Sequence, residues 1–168
     1  WENLDGDLSN GCEYECTFIS FSDDPDDANI DANCDGVDGD LAKSVFVSVD
    51  GLDTNPGTPE NPVRTLQYAQ ELVDDDNNRD SIYMTAGIYP IATTIEISNN
   101  QNIYGGFTYD FRERSNQDTV ISSTELVTAM TVSNLTRSVT LSRFVLETDN
   151  ATTLGSYRAA LIVDNCSN

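Results

Sequence analysis

Apolar residues in this chain come in short bursts of β-forming side chains, each closed by a polar turn. Three of the bursts end on one phrase: Ile97-Ser98-Asn99-Asn100-Gln101-Asn102, Val132-Ser133-Asn134-Leu135-Thr136-Arg137 and Val163-Asp164-Asn165-Cys166-Ser167-Asn168. The asparagines lie 35 (99 to 134) and 31 (134 to 165) residues apart, a period that points to stacked repeats. Each interval has room for three short strands and no helix: 103–107, 119–122 and 127–132, then 138–141, 144–147 and 159–163. This predicts an all-β fold, a right-handed parallel β-helix in which each rung buries its apolar face against its neighbours. The surplus segments 108–118 and 148–158 read as loops. Asn99, Asn134 and Asn165 are expected to form a structural ladder, their amides satisfying backbone groups of the buried turns.

Ahead of the repeats the pattern changes. Val45, Val47 and Val49 alternate with Phe46 and Ser48 and predict a strand over 44–49. Asp50-Gly51 and Asn55-Pro56-Gly57 are turn chemistry. Leu66, Ala69, Leu72 and Val73 then share one face of a short helix over 65–73, placed to cover the first rung. Residues 81–85 open the stack and 86–90 read as its first turn. Residues 1–43 show almost no apolar period. Three units result: a head over 1–43, a cap over 44–80 and rungs over 81–168, which are expected to continue past Asn168.

Charge changes what the head can be. The 168-residue chain carries 29 acids against 8 bases, net -21, and 15 of the acids lie in residues 1–53, where Lys43 is the only base. Nucleic-acid binding needs clustered Lys and Arg, so this balance argues against it. Cations are the natural partners. Asp31, Asn33 and Asp35 followed by Gly36 match the first half of an EF-hand-type loop, with the Val37 carbonyl at its seventh position. Position 12 is Ala42, so Asp38 or Asp40 has to close the shell. Asn3, Asp5 and Asp7 offer a second alternating set, and Asp24 and Asp26 belong to an acidic cluster with Asp23 and Asp27 just upstream of the loop. An oxygen-only donor set in a chain without histidine suits calcium better than zinc. The competing reading is a solvated acidic linker.

Cysteines 12, 16 and 34 crowd the head, and Cys166 stands apart. Four cysteines allow three pairings. The expectation is one cystine within the head, drawn from Cys12, Cys16 and Cys34 and including Cys34, in an extracellular or cell-surface protein. No apolar run approaches the length of a membrane-spanning helix.

The segment Val45-Phe46-Val47-Ser48, through Asp53-Thr54-Asn55-Pro56-Gly57-Thr58, to Asn61-Pro62-Val63-Arg64-Thr65-Leu66-Gln67-Tyr68-Ala69 resembles the N-terminal cap of secreted bacterial right-handed β-helix proteins of the pectate-lyase-like superfamily, the DUF1565-like group. Tyr104-Gly105-Gly106-Phe107, with Arg112-Glu113-Arg114 and Thr119-Val120-Ile121, resembles the first rungs of large myxobacterial-type surface proteins. The Asp-rich head is similar to a metal-binding motif that precedes such domains. The resemblance implies fold and compartment, but activity must be argued from a site.

Signals for catalysis are poor. Lyases on this fold resemble one another in using calcium with an Arg or Lys base, and the candidates here, Arg112 and Arg114, share a loop with Asp110 and Glu113 that reads as a surface ion-pair cluster. The rung carboxylates Glu96, Asp118, Glu125, Glu147 and Asp149 are scattered, whereas a hydrolase needs two that converge. Sequons occur at Asn134, Asn150 and Asn165; Asn150, in a loop, is the glycosylation candidate. Tyr83, Tyr89, Tyr104, Phe107 and Tyr109 offer an aromatic face for sugars, against the plainer reading of core packing. The expected function is that of a non-catalytic, calcium-stabilised surface protein with a structural, adhesive or glycan-binding role. A polysaccharide lyase or glycoside hydrolase, and a self-associating fibre subunit, are the alternatives.

Overall fold

The structure, a computed structural model, describes residues 15–123, 125–150, 158–164 and 166. Among the described residues the regular structure is ten strands, one α-helix and a 3-10 turn (Leu41–Lys43): β1 (Ser44–Val47), α1 (Leu66–Asp75), β2 (Ser81–Thr85), β3 (Gly87–Pro90), β4 (Ile95–Ile97), β5 (Asn102–Phe107), β6 (Thr119–Ser123), β7 (Thr128–Ser133), β8 (Leu141–Ser142), β9 (Phe144–Thr148) and β10 (Ala159–Asp164). Every strand pairing is parallel. From β2 onward the chain visits three sheets in a fixed cyclic order, and β1 joins the first: β1-β2-β5-β8 form the first sheet, β3-β6-β9 the second and β4-β7-β10 the third.

Register explains the core. In the first sheet Val45 pairs with Ile82 and Ile82 with Ile103, while one residue on Phe46 pairs with Tyr83 and Tyr83 with Tyr104. Successive side chains point to opposite faces, so this sheet presents an aliphatic face and an aromatic one. Both are buried. Val45, Val47, Ile82, Met84 and Ile103 join Tyr89, Ile95, Ile121 and Met130 in an aliphatic core between the sheets. Phe46, Tyr83, Tyr104, Phe107, Phe111 and Val37 form a separate aromatic cluster. The uninterrupted burial of β1 and β2 is the signature of parallel strands covered on both sides.

Helix α1 closes one side. Thr65 accepts the Tyr68 N–H at its N-terminus, and the Asp53 carboxylate takes the N–H groups of Arg64 and Thr65 just before it. Leu66, Ala69 and Val73 face the aliphatic core, and the helix packs against β1 and β2. The loop before it runs along β1, Phe46 N–H donating to the Gly57 carbonyl and Val63 N–H to that of Phe46.

Residues 86–90, read from the sequence as a turn, are strand β3 with the bend compressed into Gly87 at φ +148°. Only glycine enters that region freely. Tyr89 is buried between exposed Ile88 and Pro90, so the period of two was present. The strand expected over 138–141 shrinks to Leu141–Ser142.

The asparagine phrase marks turns that reach across strands. Asn99 Oδ1 accepts the N–H groups of Thr136 and Arg137 at 2.9 and 3.0 Å, tying its own turn to the following one. Asn134 differs from the expected hidden ladder residue: it is exposed, in the left-handed region at φ 56°. Asn165 lies outside the described residues. Replacing Asn99 with alanine removes both bonds and is expected to lower stability by about 1–2 kcal/mol. Denaturant midpoints measure this, and parental stability would mean the turn is held by other contacts.

Candidate metal centre

The head over 15–43 lacks an aliphatic core, and its carboxylates take over the role of organising the backbone. Cys16 and Cys34 form a disulfide across a separation of 18 residues, which selects one pairing from the three expected candidates. A loop of this size constrains the unfolded chain by about 3 kcal/mol. Ile19 and Ser20 donate to the Ala32 carbonyl beside it. Cys12 lies outside the described residues, and Cys166 is exposed and unpaired.

Within the loop each acidic side chain caps a turn. Asp31 accepts the Asp35 N–H through Oδ1 at 3.2 Å and the Gly36 N–H through Oδ2 at 2.8 Å. Asn33 Oδ1 takes the Asp35 N–H as well, and its Nδ2 donates to Asp35 Oδ2 and to the Gly39 carbonyl. Asp35 accepts from Val37 N–H at 3.2 Å and Leu41 N–H at 2.8 Å. Short polar side chains favour such local bonds over regular structure. Asp23 Oδ2 ties the two ends of the loop together by accepting from Ala32 and Gly39.

These carboxylates are crowded and poorly hydrated. Burial pushes Asp23 up to about 6, against the help of its two backbone bonds and with the charges of Asp31 and Asp35 adding to the rise. Asp35 is raised for the same first reason. Asp38 is fully buried, and desolvation lifts it to about 6. Its Oδ1 accepts the Asp26 N–H at 3.1 Å, and its Oδ2 has no hydrogen-bond partner among the described residues. A buried, ionised oxygen without a partner is costly.

The structure therefore sorts the predicted ligands. Asp31, Asn33 and Asp35 share one loop, with the sharp turn supplied by Cys34 at φ 61° and Gly36 at φ 96°. Asp38 is turned toward the Asp26 backbone, with Arg114 and Asp23 as charged neighbours. Asp40 pairs with Lys43 at 2.6 Å. Asp24 and Asp26 are exposed, and Asp26 caps Ala28 N–H. The Val37 side chain sits in the aromatic cluster. Asn3, Asp5 and Asp7 lie outside the described residues. Asp23 was left out of the expected ligand set although it is buried and ties both ends of the loop together; it stands outside the D-x-N-x-D-G spacing, and no local pattern marks it.

Among the described residues, no three carboxylate or thiol side chains converge as a ready-made cage. A cation here would have to take amide and carbonyl oxygens too. The loop is chemically suited to that, because its donors are all oxygens of the kind hard cations prefer.

The head is fastened to the aromatic face of the first sheet. The Tyr83 hydroxyl accepts the Asp40 N–H at 3.0 Å, the Asn29 side chain accepts the Arg114 N–H, and Asp27 pairs with Arg143 at 3.1 Å. Arg114, expected in a surface ion-pair cluster, is instead 8% exposed, with its guanidinium 4.7 Å from the centre of the Phe107 ring and 5.8 Å from that of Tyr104. Burial lowers its pKa, and its Nε and Nη1 have no hydrogen-bond partners among the described residues.

Among known protein families, curated proteins and solved structures, none matches this chain. Function must therefore be argued from its own residues.

Four of the five aromatics considered as a sugar-binding face, Tyr83, Tyr89, Tyr104 and Phe107, are buried, whereas Tyr109 is 87% exposed. Packing claimed the first four: Tyr83, Tyr104 and Phe107 fill the aromatic cluster, and Tyr89 faces the aliphatic core. Asn150 is exposed. No helix among the described residues is long and apolar enough to cross a membrane.

Proposed function

We propose that this is an extracellular or cell-surface protein whose three parallel sheets are the faces of a right-handed β-helix, and whose head binds calcium through Asp31, Asn33, Asp35 and the Val37 carbonyl. Its role is structural, adhesive or glycan-binding rather than catalytic. The observation that carries the calcium reading is the crowding of Asp23, Asp31, Asp35 and Asp38 within the core-poor head, where burial first and neighbouring carboxylates second raise Asp23, Asp35 and Asp38. Lys43, the head's only base, is already paired with Asp40. A divalent cation removes that repulsion. The cyclic return of the chain to the same three sheets supports the helical reading, and the disulfide supports an oxidising compartment.

Thermal melting with and without calcium tests the metal. Extracellular modules bind at roughly 10⁻⁴ to 10⁻³ M, so calcium at one to ten times the dissociation constant is expected to stabilise the fold by about 0.4–1.4 kcal/mol, and at one hundred times by about 2.7 kcal/mol. Asp31→Asn should abolish most of that gain. A melting temperature indifferent to calcium sinks the claim.

A further inference from the structure

Three depressions follow one corner of the molecule, where the first sheet hands the chain to the second. The first, about 340 Å³, lies between the head and the loop after β5, with Asp35 and Glu60 on one side and Asp110 and Arg112 on the other. The second, about 400 Å³, is bounded by Ser48 after β1, Thr85 at the end of β2 and Thr108 and Gln117 after β5. The third, about 190 Å³, runs from Gln117 to Arg143 after β8. Tyr109 lines both the first and the second, and Ser115 and Gln117 line both the second and the third. They are therefore segments of one groove, which advances along the ends of four neighbouring strands at about 4.8 Å per strand.

The lining chemistry narrows the occupant. Tyr109 stands at the junction of two segments with its ring 87% exposed, a flat apolar surface that the fold does not use. Beside it are hydroxyls, an amide and carboxylates, groups that donate and accept hydrogen bonds at short range. Asp35, Glu60, Asp110, Asp50 and Asp118 outnumber Arg112 and Arg143 along the groove, and the chain as a whole carries -21. Polyanions are repelled by such a field. The groove runs past strand ends rather than along an unpaired edge, so a peptide could not bind by extending the sheet. A chain molecule with hydroxyl edges and apolar ring faces, and without charge, satisfies every one of these constraints.

We propose that this groove binds a neutral oligosaccharide, with Tyr109 as the stacking platform and Gln117 among the groups that bond its hydroxyls. This deepens the glycan-binding part of the proposed function and rests on that reading. Arg143 fixes the far wall by donating to the Ser115 carbonyl at 3.0 Å while paired with Asp27, so the groove is held open without a ligand. Preformed sites lose less freedom on binding.

Native-gel affinity electrophoresis in calcium-containing buffer tests the proposal with soluble β-glucan, glucomannan and arabinoxylan as neutral probes, and polygalacturonate and alginate as anionic ones. At least one neutral polysaccharide is expected to retard the protein and neither polyanion to do so. Tyr109→Ala is expected to weaken the retarding interaction about tenfold and Gln117→Ala to weaken it less, both with unchanged melting temperatures because both side chains are exposed. Absence of retardation by all three neutral probes, retardation by polyanions alone, or full binding by Tyr109→Ala would overturn it. Loss of the calcium-induced rise in melting temperature with retardation intact would strike the metal reading and leave the groove standing.

Discussion

Replacing Tyr83 with alanine is expected to cost about 3–5 kcal/mol and to detach the head from the first sheet. The ring is 1% exposed and lies at the centre of the aromatic cluster, stacked on Phe107 at 5.0 Å and edge-on to Phe46 and Tyr104 at 5.4 and 5.6 Å. Removing it opens a cavity at the centre of the cluster, between Phe46, Tyr104 and Phe107. The hydroxyl makes a second contribution by accepting the Asp40 N–H, and burial keeps it protonated far above the usual tyrosine range. Tyr83→Phe separates the two terms: the packing survives, one backbone donor loses its partner, and the expected loss is about 1–3 kcal/mol.

Gly39→Ala should mimic the larger defect from the opposite side of the contact. A Cβ there would collide with the Tyr83 hydroxyl, and the φ of +139° is one that alanine adopts only under strain. Denaturant unfolding gives the energies, and amide hydrogen exchange in residues 39–41 reports whether the head loosens. A Tyr83→Ala protein within about 1 kcal/mol of the parent would show that the head is held by its other ties. Those ties are individually small, since Asp27–Arg143 is an exposed ion pair of the kind that contributes about 0–1 kcal/mol.

Several sheet strands were legible because they obey a rule that needs no tertiary knowledge. Val45 and Val47 alternate with Phe46, and the stretch closes on a polar turn. Helix α1 was equally plain from Leu66, Ala69 and Val73. The second face of the first sheet was not. Phe46, Tyr83 and Tyr104 occupy positions that would ordinarily meet solvent, and only the folding of a distant polar loop over them makes them core. Arg114 was misplaced for the same reason: a loop arginine beside acids reads as surface until the rings of Phe107 and Tyr104 close around it. In the head, the D-x-N-x-D-G spacing falls on a loop of mutually capping side chains. It could not show that Asp38 turns away from that loop, because the direction is set by packing against residues in another part of the chain.

Metal-free protein is expected to lose stability as pH rises from about 3.8 through about 6, the reverse of the usual acid denaturation. Asp23 and Asp38 each have an ordinary value of 3.8 and a folded value near 6. A raised folded value means that the native state holds its proton more tightly than the unfolded chain does. The stabilisation is therefore complete below the lower value and lost as pH climbs through the higher one. Both groups are nearly or fully buried, and a shift of this size corresponds to about 2–3 kcal/mol for each. For Asp38 the opposing influences are the Asp26 N–H and the charge of Arg114, and Asp26 and Asp23 add repulsion. None of these supplies its Oδ2 with a partner. Asp38→Asn should remove that residue's share of the slope and raise metal-free stability near neutral pH, because a neutral amide replaces a buried carboxylate. Calcium should act in the opposite sense, since a cation among these oxygens favours their ionised forms and its binding competes with protons. Denaturation midpoints measured across this interval, in chelator and then in calcium, distinguish the two regimes. Metal-free stability that stays level or rises over the interval would mean that these carboxylates are hydrated in solution, and it would remove the electrostatic case for a cation in the head.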